Sequence, residues 1–174
     1  ADRHRRAVEI NVMGCINGMH LALPAMVERR RGHVINIASS AGKTPVPGGL
    51  TYCGTKAAVI ALTETARVEY AGTGVHFTCV MPSFTNTELI AGTSGLKFIP
   101  TAQPDDVAQA IADAVSRPTA DVFVPKIIGP ILRTQPLIGR RLRDAINTQL
   151  GAYNTFLNFD PQARAAYQHR IDES

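Results

Sequence analysis

The sequence contains few cysteines and no tryptophan, and it has no long apolar run. Its 174 residues include three cysteines, Cys15, Cys53 and Cys79. Their odd number and wide spacing exclude a disulfide framework and a structural zinc site, so we expect thiols in a reducing compartment. No run approaches 18 consecutive apolar residues, and the opening segment ADRHRRAVEI lacks the apolar region of a signal peptide. The sequence therefore predicts a cytoplasmic protein.

Charge is also limited, since only 18% of the residues are charged and the net charge is +4. Basic residues form short groups at 3–6, 29–31 and 140–143 rather than one tract. No nucleic-acid-binding motif accompanies them, so we expect no nucleic-acid partner and interpret these groups as solvated helix surface. The five histidines show no metal-ligand spacing, and no metal site is predicted.

Apolar residues follow two alternating patterns along the chain. Helical spacing covers residues 6–30, 52–70 and 104–117. A short, mostly apolar run follows each of these segments, at residues 33–38, 75–81 and 121–125. Helices that alternate with short buried strands predict crossover connections and a parallel sheet, which is an α/β fold.

Tyr52 and Lys56 lie four residues apart in the second helical segment and therefore share one face. A free phenol titrates at about pH 10, too high for efficient proton transfer at neutral pH. An ammonium group one turn away favours the phenolate and lowers the pKa of the phenol. Many helices carry the same spacing as an exposed amphipathic pair, so the pair by itself leaves both interpretations open.

Further segments accompany this pair in a fixed order. Ser39 ends the first apolar run, 13 residues before Tyr52. The other positions are Asn11 in the first helix and, at or after the end of the second apolar run, Pro82, Thr85 and Thr87. In order and spacing, residues 1–126 resemble the catalytic part of the short-chain dehydrogenase/reductase family.

The resemblance implies an NAD- or NADP-dependent oxidoreductase that interconverts a secondary alcohol and a ketone or aldehyde by hydride transfer. Tyr52 would exchange a proton with the substrate oxygen, and Ser39, rather than Ser40, would bind that oxygen. Lys56 would support the tyrosine and hold the nicotinamide ribose. Asn11 would anchor a water that connects Lys56 to solvent. The remaining cofactor contacts would come from Pro82, Thr85 and Thr87.

Several of these residues also allow a purely structural interpretation. Asn11 is able to bond neighbouring backbone, Ser39 to cap a turn, and Thr87 to cap a short helix that begins at Glu88. The step Pro82-Ser83 stands where the family usually has proline and glycine. Each position taken alone therefore remains open.

The family's glycine-rich turn and its asparagine–alanine–glycine turn do not occur in this sequence. We therefore expect a partial Rossmann-like, doubly wound parallel sheet made of the later strands and their helices only. Such a carboxy-terminal catalytic portion would bind cofactor poorly by itself. The choice between NAD and NADP cannot be predicted, because the segment that determines it follows the second strand of a complete Rossmann fold.

Residues 127–174 are predicted to form a mainly helical carboxy-terminal extension of the catalytic part, residues 1–126. Pro136 can open a helix whose apolar face carries Ile138, Leu142, Ala145, Ile146 and Leu150. We interpret that face as packing on its own domain or across a subunit interface. Two alternatives are a lid over an apolar substrate and a peripheral membrane contact through residues 127–150.

Substrate and partners follow from weaker signals. The segment 86–100 is rich in apolar residues and indicates a small apolar alcohol or carbonyl substrate. The resemblance implies a homodimer or homotetramer that forms through helices 6–30 and 52–70. A non-catalytic scaffold or dimerisation module is the rival interpretation, because the glycine-rich turn is missing.

Overall fold

The computed structural model describes residues 2–93, 95, 97–153, 155, 157–158, 160, 162–163, 165 and 169. The chain opens on one continuous helical stretch, where the sequence predicted a single helix over residues 6–30. It consists of α1 (Asp2–Val8), a π-helical turn (Glu9–Met13) and α2 (Gly14–Glu28), with Pro24 inside α2. The π-helical turn was not predicted.

Three parallel strands form the sheet, in the order in which they occur along the chain. They are β1 (Gly32–Ile37), β2 (Val75–Pro82) and β3 (Asp121–Val124). The connecting helices are α3 (Leu50–Glu69) between β1 and β2, and α4 (Pro104–Ser116) between β2 and β3. The predicted α/β fold with a parallel sheet is therefore confirmed.

Helices cover both faces of this sheet. Successive side chains of β2 point to opposite faces, so their contacts show which helices lie on each face. Phe77 of β2 packs with Leu23 of α2 and Ala66 of α3. Val80 of β2 points to the opposite face. It is fully buried and packs in a cluster that includes Ile111 of α4. The sheet is thus a buried layer between two helical layers.

Two helices and a 3₁₀ turn follow the last strand. They are α5 (Ile128–Thr134), the turn Gln135–Leu137 and α6 (Arg140–Gln149). Ile128 and Leu132 of α5 join the same buried cluster as Val59 of α3. The division at residue 126 stays a prediction, and the predicted extension from residue 170 onward lies outside the described residues.

Much of the predicted apolar face of α6 does not pack on its own domain, and packing across a subunit interface stays a prediction. Leu142 is 56% exposed and Ile146 is 37% exposed, whereas the polar Asn147 is only 2% exposed. The reason is a pair of buried amides, Gln135 and Asn147, which turns a polar side chain of α6 inward. This pair lies next to the cavity described below.

The helical stretch Asp2–Glu28 is long and apolar enough to cross a membrane by length and composition. A count of unbroken apolar runs misses it because polar residues interrupt the run. The core helices of soluble proteins and signal sequences meet the same criterion. Only 11% of its most apolar window is buried, so most of this surface is open to a partner.

The three cysteines are free thiols. Cys79 is buried, and burial raises its pKa to about 12, so it stays protonated at neutral pH. Cys15 and Cys53 are half-buried. Within the described part of the chain, no group of three or more histidine, cysteine or acidic side chains is placed to hold a metal ion.

Candidate active site

A cavity lies at the carboxyl ends of β1 and β2. Ligands of open parallel sheets usually bind at this edge. Ser39 follows β1 with extended backbone (φ −167°, ψ 155°) and is 7% exposed. Its hydroxyl accepts a hydrogen bond from the Ala41 amide (3.2 Å) and donates one to the Pro82 carbonyl (3.4 Å). Ser39 therefore caps a turn and lines the cavity at the same time, so the two interpretations are compatible.

Helix α3 carries Tyr52 and Lys56 into the same cavity. The Lys56 Nζ atom lies 5.8 Å from the centroid of the Tyr52 ring. It donates a 2.9 Å hydrogen bond to the carbonyl of Ile37, the last residue of β1. Burial lowers the pKa of Lys56, which makes this ammonium group easier to deprotonate than an exposed lysine.

The predicted cofactor contacts line the same cavity. Pro82, Thr85 and Thr87 all belong to its wall. The hydroxyl of Thr85 donates to the Ser83 carbonyl and that of Thr87 to the Thr85 carbonyl, each over 3.3 Å. Thr87 precedes the 3₁₀ turn Glu88–Ile90, but its side chain makes no capping bond there. Both hydroxyls thus retain lone pairs for a ligand.

Asn11 is the one predicted site residue that does not line the described cavity. It sits in the π-helical turn, a conformation common at functional sites. Its Nδ2 donates to the Oγ1 of Thr55 (3.0 Å), and Thr55 in turn donates to the Tyr52 carbonyl (2.9 Å). Asn11 therefore reaches the tyrosine helix through Thr55, a buried residue that the sequence did not single out.

The far wall of the cavity comes mainly from the carboxy-terminal segment, for which a lid over the substrate was one predicted alternative, but its lining residues were not predicted. This wall is mostly apolar, and its polar members are Thr44, Gln135 and Asn147. The apolar contributors from the extension are Ile128, Ile131, Leu132, Leu150 and Ala152. The helical spacing of residues 128, 131 and 132 indicated an apolar helix face, but it does not show which part of the structure that face covers. The whole cavity has a volume of about 250 Å³.

Replacing Gly42 by alanine should disturb this site. A Cβ atom there would lie 2.7 Å from the backbone carbon of Lys56 and 2.7 Å from Cδ1 of Ile60, so α3 must move. We expect a loss of roughly 1–3 kcal/mol in the free energy of unfolding, typical of overpacking, together with a lower kcat. Chemical denaturation and steady-state kinetics measure both quantities.

Gly54 provides the matched control on the same helix. A Cβ at Gly54 has no atom within 4 Å, so Gly54→Ala should stabilise α3 by up to about 1 kcal/mol and leave kcat unchanged. Equal kinetics for Gly42→Ala and the wild type would contradict the close approach of this turn to the Lys56 backbone.

The chain matches known proteins over most of its length. The family model described as short chain dehydrogenase matches residues 1–94. An uncharacterized oxidoreductase of Myxococcus xanthus is 31% identical over 149 residues, which cover 86% of this chain and 58% of that protein. Estradiol 17-beta-dehydrogenase 11 of Homo sapiens is 30% identical over 139 residues, which cover 78% of this chain and 46% of the relative.

Among solved structures, a short chain dehydrogenase from Burkholderia cenocepacia in complex with NADP superimposes with a TM-score of 0.70 at 24% identity. The match covers 84% of this chain and 60% of that one, and it supports the fold. This chain thus spans about half the length of the curated relatives it matches. Because the family model covers more than half of the residues, the chain belongs to the short-chain dehydrogenase family of oxidoreductases.

Proposed function

We propose that this chain supplies the substrate side of the active site of an NAD(P)-dependent oxidoreductase that interconverts a secondary alcohol and a ketone or aldehyde. The observation that carries the proposal is the convergence of Ser39, Tyr52 and Lys56 on one mostly apolar cavity. A hydroxyl, a phenol and an ammonium group together can bind a carbonyl oxygen and exchange a proton with it.

Each side chain has a distinct task in ketone reduction. The Ser39 hydroxyl turns its proton from the Pro82 carbonyl to the substrate oxygen, and the Tyr52 phenol transfers its proton to that oxygen as negative charge develops. The Lys56 ammonium stabilises the phenolate that remains, since opposite charges nearby favour the ionised form. A bound nicotinamide supplies the hydride in reduction and accepts it in oxidation.

The cavity suits the nicotinamide half of such a cofactor. Lys56 offers an ammonium donor, and the Thr85 and Thr87 hydroxyls offer further polar contacts in the same wall. The sequence holds no glycine-rich turn of the kind that binds a pyrophosphate. We therefore propose that this chain carries the later, catalytic part of the fold and does not itself select between NAD and NADP.

The substrate we propose is a small apolar alcohol or carbonyl compound. Leu89, Ile90 and Ile99 from the segment after β2 line the same cavity as the apolar residues of α5. Relatives named for estradiol agree with an apolar substrate. The test is to assay the full-length protein with a panel of apolar ketones. The absorbance of the nicotinamide cofactor reports the reaction. A protein that shows no saturable cofactor binding would instead be the non-catalytic scaffold.

We also propose a homodimer or homotetramer that forms through the helices at residues 6–30 and 52–70. Leu21 of α2 is 79% exposed and Val68 of α3 is 63% exposed, so both helices offer apolar side chains to a partner. Leu21→Glu should lower the mass measured by analytical ultracentrifugation. Leu142→Glu, outside these helices, should leave the mass unchanged.

We propose a cytoplasmic location for the protein. A second candidate function is a peripheral membrane contact through residues 127–150. The observation that favours it is a set of exposed apolar side chains near Arg140 and Arg141: Leu137 is 83% exposed and Leu142 is 56% exposed. Such a surface would bind anionic vesicles in a salt-sensitive manner. Co-sedimentation with vesicles at low and high salt decides this point, and no binding at low salt excludes it.

A further inference from the structure

One buried polar group in the cavity wall lacks a partner. Asn147 of α6 is 2% exposed and lines the same cavity as Tyr52. Its Nδ2 atom is buried and makes no hydrogen bond. A buried donor without an acceptor destabilises a folded protein, so its presence calls for an explanation.

A chain of hydrogen bonds fixes which end of this amide is spare. The Thr44 hydroxyl donates to Oε1 of Gln135 over 2.9 Å. The Nε2 atom of Gln135 then points at Oδ1 of Asn147 at 3.5 Å. Because this contact takes up the amide oxygen of Asn147, the group left over is the Nδ2 donor.

Neither a neighbouring side chain nor water satisfies this donor well. The Tyr153 hydroxyl, which donates to Asp144 (2.7 Å), is near enough for Asn147 to oppose the rise in the pKa of Tyr153 that burial causes, but it lies outside hydrogen-bond geometry for Nδ2. The wall beside Asn147 includes Leu132 and Leu150, which offer no side-chain acceptor. A buried water needs two to four polar partners, and this wall is poor in them.

We propose that Asn147 Nδ2 donates a hydrogen bond to a second oxygen of the substrate. The preferred substrate class is then an apolar alcohol or ketone that carries a further carbonyl or hydroxyl oxygen away from the reacting carbon. The reacting oxygen lies against Ser39 and Tyr52, and the second oxygen against α6. This inference rests on the proposed function and narrows its substrate class.

Two matched ketones test the proposal with the protein as encoded in full. One is 4-cyclohexylcyclohexanone, and the other is its analogue with a second ketone on the far ring. After correction for the two equivalent carbonyls, we expect the wild type to favour the diketone by about 10-fold in kcat/KM. Asn147→Leu should reduce that preference to about one, with kcat/KM for the monoketone changed by less than about twofold.

Controls separate a binding role from a structural one. Asn147→Leu removes the spare donor and also the acceptor of Gln135 Nε2, so the unliganded variant should unfold at a somewhat lower temperature, and the selective loss on the diketone is what shows the binding role. Tyr153→Phe should keep the preference for the diketone. If Tyr153→Phe also loses that preference, Tyr153 is the acceptor of Asn147 and the proposal is overturned.

The remaining outcomes are equally distinct. A lower unfolding temperature with equal losses on both ketones makes Asn147 structural and overturns the inference. A wild type that reduces both ketones without preference overturns the inference and leaves the proposed function standing. A wild type that binds nicotinamide but reduces neither these two ketones nor any member of the apolar ketone panel overturns both.

Discussion

Replacing Tyr52 by phenylalanine should lower kcat for ketone reduction by roughly 100- to 10,000-fold, the usual contribution of a positioned general acid. The substitution removes one hydroxyl and keeps the ring that lies 5.8 Å from Lys56 Nζ. The cavity shape is therefore conserved, and the dissociation constant for the nicotinamide cofactor should change little. Steady-state kinetics and a fluorescence titration of the cofactor measure the two effects separately.

Tyr70→Phe is the matched control for this experiment. Tyr70 follows the last turn of the same helix, at its opposite end, and packs against Phe77 at 5.8 Å between ring centroids. This variant should keep its rate. If Tyr52→Phe also retained the wild-type rate, another group would be the proton donor and the proposed chemistry would be wrong.

Replacing Lys56 by methionine should lower kcat by roughly 100-fold, as expected when a preorganised charged donor is removed. The same change should not lower the unfolding temperature at neutral pH, although it removes the bond to the Ile37 carbonyl. The reason is that burial lowers the pKa of Lys56, so its charged form opposes folding. Kinetics and thermal unfolding at pH 7 check these two results.

Because the pKa of Lys56 is lowered, this residue should make the free energy of unfolding increase as the pH rises. Below the lowered folded-state pKa of Lys56, the lysine is protonated in both states and the folded protein carries the full cost of the buried charge. As the pH rises from that value to the ordinary lysine pKa, this cost disappears and the wild type gains stability relative to Lys56→Met. Lys43→Met, a substitution at an exposed lysine, should change neither kcat nor this pH dependence.

The residues near the strand ends could be predicted because short-range geometry places them and the family resemblance singles out Ser39 among them. Helical periodicity puts Tyr52 and Lys56 on one face, and the end of a buried strand puts Ser39 at the edge of the sheet. Both relations depend on a few consecutive residues. The structure accordingly brings these three side chains to one cavity.

The lining residues of the far wall could not be predicted, since their placement depends on contacts between residues distant in the sequence. Thr44 and Gln135 are 91 positions apart, and no local pattern relates them. The orientation of α6 is a similar case. Periodicity groups Leu142 and Ile146 on one apolar face, which is exposed in the structure, whereas Asn147, paired with Gln135, is buried.

The π-helical turn was missed for a related reason. Apolar spacing over residues 6–30 fits a continuous α-helix, and a single wider turn changes that spacing very little. Its consequence appears only in three dimensions, where Asn11 meets Thr55 of α3. Whether Asn11 anchors a water beside Lys56 stays a prediction.

The most direct measurement of the central claim is a kinetic double-mutant cycle on Ser39 and Tyr52 in the protein as encoded in full. If both hydroxyls act on one substrate oxygen, Ser39→Ala should slow the wild type by roughly 10- to 100-fold but slow Tyr52→Phe hardly further. Independent, multiplying losses in the double variant would contradict a shared site.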